Sequence, residues 1–283
     1  MNNNIIISAD CTCDLPESLI QKYSIQIVPF YITTGDARFQ DYTEVNASAI
    51  IEYLENEDEK ISSMSASAEE YKEFFRTFSE NESKPLIHIS ISGKISDAYS
   101  RAAEAAKGMK NVYVIDSEQA SHGMGLFVLA AAYFAERMGS VEEILDELKK
   151  IQSKINCSFI LKTTRHIANN KRMNQSVSNL LDLFKIKPII KIKGGRITVG
   201  GIFIGSRASY AKKYIETALK NKKAISNTIL FITVSGCSEE LQQLIYREAT
   251  KEIKWERVYI QDASATNLCN IGPGSIGVMF YNK

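Results

Sequence analysis

"KPLIHISISGKISDAYSRAAEAAKGMKNVYVIDS", Lys84 to Ser117, decides the fold. A buried-type run, "KPLIHISIS", passes at once into a loop of small polar residues. A helix rich in alanine follows, and then a second apolar run, "NVYVIDS". A strand, a helix and a strand in this order are the unit of a parallel sheet. The alternation extends outward on both sides. Upstream, "NIIISAD" predicts a first strand, and "PESLIQKYS" a helix starting at Asp14 or Leu15 before Pro16. "IQIVPFYI" predicts one further strand, and "NASAIIEYLEN" and "SAEEYKEFFRTFSE" two amphipathic helices. Ser67 with Glu70 three residues on is a capping-box pattern for the second of these. Downstream, "ASHGMGLFVLAAAYFAERMG" and "SVEEILDELKKIQSKI" predict two more helices.

The second half changes character. "CSFILKT" and "KPIIKIKGGRITVGGIF" are strand-like, with Gly194–Gly195 as a hairpin turn. "RASYAKKYIETALKNKK" and "SEELQQLIYREATKEI" are helical, while "SNTILFITVSG", "RVYIQDAS" and "SIGVMFYNK" are strands. The change falls near Gln152–Cys157 and is marked by no linker or repeat. The expectation is an α/β protein of two domains: an N-terminal α/β domain, 1–153, with a mainly parallel doubly wound sheet, and a C-terminal α/β domain, 154–283.

Composition narrows the function. Lys plus Arg number 34 against 33 Asp plus Glu, so the basic excess of a nucleic-acid binder is missing. No apolar run is long enough to span a bilayer. The opening "MNNNIIISAD" lacks a cationic region and a long apolar run, and reads as a strand rather than a signal peptide. A soluble cytoplasmic protein is the simplest expectation. Five scattered cysteines argue against a disulfide framework. Only Cys11 and Cys13 lie close together, and the three histidines follow no ligand spacing, so neither a metal nor another cofactor is expected.

In parallel sheets, ligands bind beyond the carboxyl ends of the strands. Ser8–Asp14, Ser90–Ser96 and Asp116–Gly125 are such ends, and "SSMSAS" (Ser62 to Ser67) is a further loop before a helix. Their hydroxyls and helix N-termini suit a carboxylate or phosphate; singly, each could equally be a helix cap. Asp10 and Asp116 end strands, where a carboxylate either orients loop backbone or works as an acid or base. A Ser92–His122–Asp116 set can be drawn, but no nucleophile elbow, Walker loop or dinucleotide fingerprint accompanies it. "GPG" at Gly272–Gly274 predicts a rigid turn before a last strand.

These pieces, in this order, resemble the DegV family over nearly the whole chain. The motifs are "SADCTCDLP", "IVPFYI", "GDARFQDY", "SSMSAS", "SGKISDAYSRA", "VIDSEQASHGMG", "IKPII" and "NIGPGSIGVMF". "ANNKRM" matches the family's "GGRI" segment poorly. The resemblance makes Cys11 and Cys13 variants in a loop where the family has Ser and Ala. It implies two α/β domains with a long-chain fatty acid of about C14–C18 between them, whose tail gains about 0.8 kcal/mol per buried CH₂. It implies that the carboxylate is presented to a separate fatty acid kinase subunit, which makes the acyl phosphate. No catalytic residue, cofactor or metal in this chain is implied.

The resemblance maps the carboxylate contacts to Ser62 or Ser63, with the register open by one, and to Ser92, Ser96 and Asn270. Asp10, Asp116, Ser117, Arg172, Arg207, Gly272 and Gly274 are implied as supporting residues. Gly93 stands where the family has a serine, Asn270 where it has a histidine, and Asn170 and Lys171 where it has glycines. Asp97 places a carboxylate by the head-group loop, with Lys94 as the candidate to offset it. Two other readings are carried beside this one. The first is a stand-alone enzyme on a small anionic or acyl substrate using Ser92, Asp116 or Asp10. The second is a lipid-responsive module that has lost kinase coupling.

Overall fold

A computed structural model describes residues 5–56, 61–82, 84–170 and 174–283. Arg172 lies outside the described residues. From the N-terminus the chain forms β1 (Ile6–Asp10), α1 (Glu17–Tyr23), β2 (Gln26–Val28), β3 (Tyr31–Thr34), β4 (Ala37–Gln40) and α2 (Ala47–Asn56). It continues with β5 (Ile61–Met64), α3 (Ala68–Glu82), β6 (Leu86–Ser90), α4 (Ala98–Ala105), β7 (Val112–Asp116), α5 (Ser121–Ala135) and α6 (Val141–Gln152). Strands β2, β1, β6 and β7 lie in that order in one parallel sheet. Its registers pair Ala9 with Ile89 and Ser90 with Asp116, so Asp10, Ser90 and Asp116 stand at one edge.

Three local expectations change. "IQIVPFYI" is two strands, because Pro29 offers no N–H to a ladder. β2 stays in the parallel sheet, while β3 turns into a separate antiparallel sheet, β4-β3-β5. The first half of "SSMSAS" is therefore strand β5 and not a loop. Helix α1 starts later than expected, with Pro16 at its N-cap. Asp14 is left-handed, at φ +54°, and its side chain turns away from α1. The capping box of α3 is formed: Ser67 N–H donates to Glu70 Oε2 at 2.7 Å and Glu70 N–H to Ser67 Oγ at 3.2 Å.

The second half comprises β8 (Ile155–Ile160), α7 (Arg165–Asn169), α8 (Gln175–Leu183), β9 (Ile186–Lys193), β10 (Arg196–Ile204) and α9 (Arg207–Ala218). It ends with β11 (Ile225–Thr233), α10 (Glu239–Thr250), β12 (Val258–Gln261), α11 (Ala265–Ile271) and β13 (Ile276–Asn282). One six-stranded sheet has the order β10-β9-β8-β13-β11-β12, antiparallel except for β11 with β12. The β9–β10 hairpin turns on Gly194 and Gly195, at φ +54° and +74°, as an Asn-Gly-like two-residue turn requires. Three short helices, α7, α8 and α11, were not expected from the sequence.

The core does not divide where the sequence changes character. One apolar cluster joins Ile87, Ile89 and Phe127 of the first half to Phe159, Ile190 and Phe231 of the second. A second lies under the outer face of the six-stranded sheet, around Tyr214, Ile232 and Phe280. A third clamps α11 against the small antiparallel sheet through Ile32, Ile61, Leu268 and Cys269. Helix α11 thus belongs by sequence to the second half and by packing to the first.

Candidate functional site

Two adjoining cavities meet at α11. The first is a polar chamber of about 360 Å³, bordered by Thr12, Ser63, Ser65, Ser96, Asp97, Asn170, Thr266 and Asn270 among others. The second is an apolar slot between the two main sheets, holding about 50 Å³ of free space. Its walls are Ile91 and Ile95 from one side and Phe159, Leu161, Ile190 and Ile192 from the other. Ile91, Ile95, Asn267 and Asn270 border both, so the polar chamber leads into the slot.

Strand alternation settles which serine of β5 faces the chamber. Ser63 Oγ accepts from Asn270 Nδ2 at 3.0 Å, whereas Ser62 Oγ lies 2.7 Å from Thr33 Oγ1 in an exposed pair. Ser96 also borders the chamber; its Oγ accepts from Ala98 N–H at 3.2 Å, which leaves its own hydrogen free to donate. Asn270 lies on α11 and donates its second amide hydrogen to the Thr266 carbonyl at 2.8 Å. That bond fixes the amide orientation, since the flipped side chain would set oxygen against oxygen. Asn270 Oδ1 and Thr266 Oγ1 are buried without a hydrogen-bond partner.

Ser92 is not in this group. Its buried Oγ donates to the Gly195 carbonyl at 2.7 Å, tying the loop after β6 to the β9–β10 hairpin. Lys94 does the same, donating to the Gly194 carbonyl at 2.8 Å while pairing with Glu118 at 2.8 Å. It does not offset Asp97. Arg101, one helical turn along, pairs with Asp97 at 2.5 Å, and Ser65 Oγ donates to the same carboxylate at 2.8 Å.

Supporting residues act on backbone. Asp10 Oδ2 accepts from Ile91 N–H at 2.9 Å and Ser90 Oγ at 2.7 Å, and Oδ1 from Tyr71 OH at 2.6 Å. His88 Nε2 lies 3.2 Å from Oδ1, so every acceptor position of this buried carboxylate is matched. Asp116 accepts from Glu118 N–H at 2.8 Å and Gly93 N–H at 3.2 Å. Ser117 Oγ accepts from Gln119 N–H at 3.1 Å. Arg207 Nη2 reaches Cys237 Sγ at 3.3 Å and the Gly236 carbonyl at 3.5 Å. Gly272 and Gly274 have φ of +73° and +82°, and a Cβ on either would strike His166 or Lys162. Neither they nor Arg207 border the chamber. The set Ser92, His122 and Asp116 is not assembled: His122 Nδ1 faces Thr233 Oγ1 at 2.9 Å. Burial drives the His122 pKa down to about 3, so the ring is neutral.

Two residues outside the expected set hold α11 in place. Asp14 Oδ1 accepts from Ser264 N–H at 2.9 Å and Asn267 Nδ2 at 2.8 Å, and Oδ2 from Ser121 Oγ at 2.5 Å. Asp41 Oδ2 accepts from Thr266 N–H at 2.8 Å. Carboxylates at a helix N-terminus complement its free N–H groups. Burial nonetheless pushes Asp14 up to about 6, against the lowering effect of its hydrogen bonds, and raises Asp41 as well. Cys11 and Cys13 sit beneath this anchor in a 3₁₀ turn, both buried. Cys11 accepts from Phe30 N–H at 3.2 Å and donates to Asp41 at 3.6 Å. Burial pushes Cys13 up to about 12, which keeps it a thiol.

The family model described as an uncharacterised protein of the DegV family matches residues 4–283. Among curated proteins, a DegV domain-containing protein of Deinococcus radiodurans is 23% identical over 282 residues, covering 97% of each chain. One from Staphylococcus aureus strain COL is 24% identical over 284 residues, covering 98% of this chain and 99% of the other. Among solved structures, a DegV family protein from Thermus thermophilus described for its fatty acid binding superposes with a TM-score of 0.86. It is 24% identical and covers 99% of both chains. A DegV family protein from Eubacterium eligens loaded with heptadecanoic acid gives a TM-score of 0.85 at 18% identity, covering 99% of this chain and 100% of the other.

Proposed function

The chain belongs to the DegV family, and from that premise we propose that it binds one long-chain fatty acid, about C14–C18, where its two halves meet. The observation that carries this is the joined pair of cavities, a hydroxyl-rich chamber opening on a slot of isoleucine, leucine and phenylalanine. An amphiphile with one polar end and a long apolar tail matches that sequence of surfaces. Ser63, Ser96, Thr266 and Asn270 would hold the head group; Ser92 and Asp10 would set the loop around it. Ser62, Arg207, Gly272 and Gly274 have structural contacts instead. The fatty acids named with the Thermus thermophilus and Eubacterium eligens proteins favour the same ligand class.

The role we propose is that of a carrier. The chain presents the acyl carboxyl group to a separate kinase subunit in the cytoplasm, and phosphoryl transfer is the partner's chemistry. The partners of Ser92, His122 and Asp116 leave no nucleophile–base pair among them, which disfavours a stand-alone hydrolase using that set. Mass spectrometry of the purified protein, sprayed intact and then extracted with organic solvent, tests the reading. The expected result is an acyl chain at near one per protein. Bare protein that also ignores added palmitate and oleate would overturn it. Acyl phosphate formed with a kinase subunit and ATP, and absent without this chain, tests the carrier role.

A further inference from the structure

The hydrogen-bond polarity of the chamber points to the state of the head group it takes, an inference that rests on the fatty-acid reading. Asn270 is 7% exposed and borders both cavities. Both of its donors are committed, at 3.0 Å to Ser63 Oγ and 2.8 Å to the Thr266 carbonyl. Its remaining polar atom, Oδ1, is an acceptor, buried and unmatched. Ser63 accepts from Asn270 and so has its own hydrogen to give, and Thr266 Oγ1 is buried and unmatched beside it. The complementary ligand accepts on one atom and donates from another. A carboxylic acid does so: its carbonyl oxygen accepts from Ser63 or Thr266, and its O–H donates to Asn270. An ionised carboxylate has nothing to donate and sets a negative oxygen against Oδ1.

We infer that this chain takes its fatty acid as the neutral, protonated acid, with Asn270 Oδ1 the specificity-determining acceptor. Asp97 borders the chamber with Arg101 as its counter-ion. Three further carboxylates lie one bond behind the lining: Asp10 on Ile91 N–H, Asp14 on Asn267 Nδ2 and Asp41 on Thr266 N–H. His88 is the ring facing Asp10, and His122 Nδ1 lies 3.9 Å from Asp14. At the chamber itself an added negative charge meets the Asp97 carboxylate.

Titration calorimetry with tetradecanoic acid and with tetradecanamide at pH 6, 7 and 8 tests this. The amide donates and accepts at every pH. If only the neutral acid binds, its apparent Kd rises about tenfold per pH unit above the carboxyl pKa, because the competent fraction falls by that factor. The amide's Kd stays level. Titration of Asp14, with its pKa of about 6, would move both ligands together and is separated by that control. Asn270→Leu removes the acceptor and is expected to flatten the acid's pH profile, whereas Ser63→Ala weakens binding and keeps the slope. A level Kd for the acid across this range, with weaker amide binding, overturns the inference and leaves the fatty-acid reading standing. Failure of both ligands to bind overturns the reading itself.

Discussion

Gly125 sits in α5 where a Cβ would stand 2.5 Å from the Cys13 carbonyl oxygen, and that neighbour is backbone and cannot rotate away. Gly125→Ala is expected to cost about 1–3 kcal/mol, read as a lower urea midpoint with unchanged slope. Asp14, packed beside it, gives a second prediction with a definite sign. Its folded pKa is about 6 against an ordinary 3.8, so the folded chain holds this proton more tightly than the unfolded chain. The stability it contributes is complete below the unfolded value and is lost as pH rises through the folded one. The loss is on the order of 3 kcal/mol between pH 4 and pH 7. Urea unfolding of wild type and Asp14→Asn across that range checks it: the advantage of wild type should shrink as pH rises. An advantage that grows would mean that the bonds from Ser121, Ser264 and Asn267 outweigh burial. Neither residue's role was legible in the sequence. "SADCTCDLP" shows a loop at a strand end, but Asp14 meets Ser264 from 250 positions away. Spacing along the chain carries no trace of such a contact.

Most strands and the long helices were legible because their patterns are local, whereas β4 and β5 were not read as strands. "KPLIHISIS" carries apolar residues on both faces, with His88 and Ser90 its inner polar positions, and β6 is buried along its whole length. The chamber was legible only in part, because α11 went unseen. Its signature is nevertheless present: Ser264 caps Asn267 N–H at 3.3 Å, and Gly272 follows at the C-cap. α8 also has its cap, Asn174, which accepts from Ser176 N–H at 2.9 Å. Seven or nine residues hold too few turns for a periodic stripe to stand out. What the β9–β10 hairpin rests on was hidden as well. Ser92 and Lys94 hold its tip from about 100 residues away, while its turn is written plainly as Gly194–Gly195. Lys94→Met removes two bonds of a part-exposed side chain, so global stability should move by less than about 1 kcal/mol. Amide exchange at residues 194–197 should quicken, measured by mass spectrometry, if the tip is held as described.

At the scale of the molecule, the slot is small for its proposed guest. About 50 Å³ is free between walls contributed by the two halves. An apolar cavity of about 150 Å³ takes a single benzene, so an acyl tail of this length can enter only as the walls part. Association should therefore be gated by the protein. In stopped-flow mixing, the observed rate should level off as fatty acid concentration rises, where simple docking would give a straight line. Ile192→Trp fills the slot and is expected to abolish binding of long chains while a short acid retains access to the chamber.

The order of strands also bears on how the chain is made. β13 sits between β8 and β11 in the six-stranded sheet, although it follows both in sequence. During translation β8 emerges first, and the strand that must lie against it arrives more than a hundred residues later, roughly ten seconds at ribosomal speed. In that interval the nascent chain displays the apolar edge of β8, and from residue 233 that of β11 as well, each a template for a foreign strand. Until residues 276–282 clear the exit tunnel, the second half can only wait, and a holding chaperone would find its substrate there.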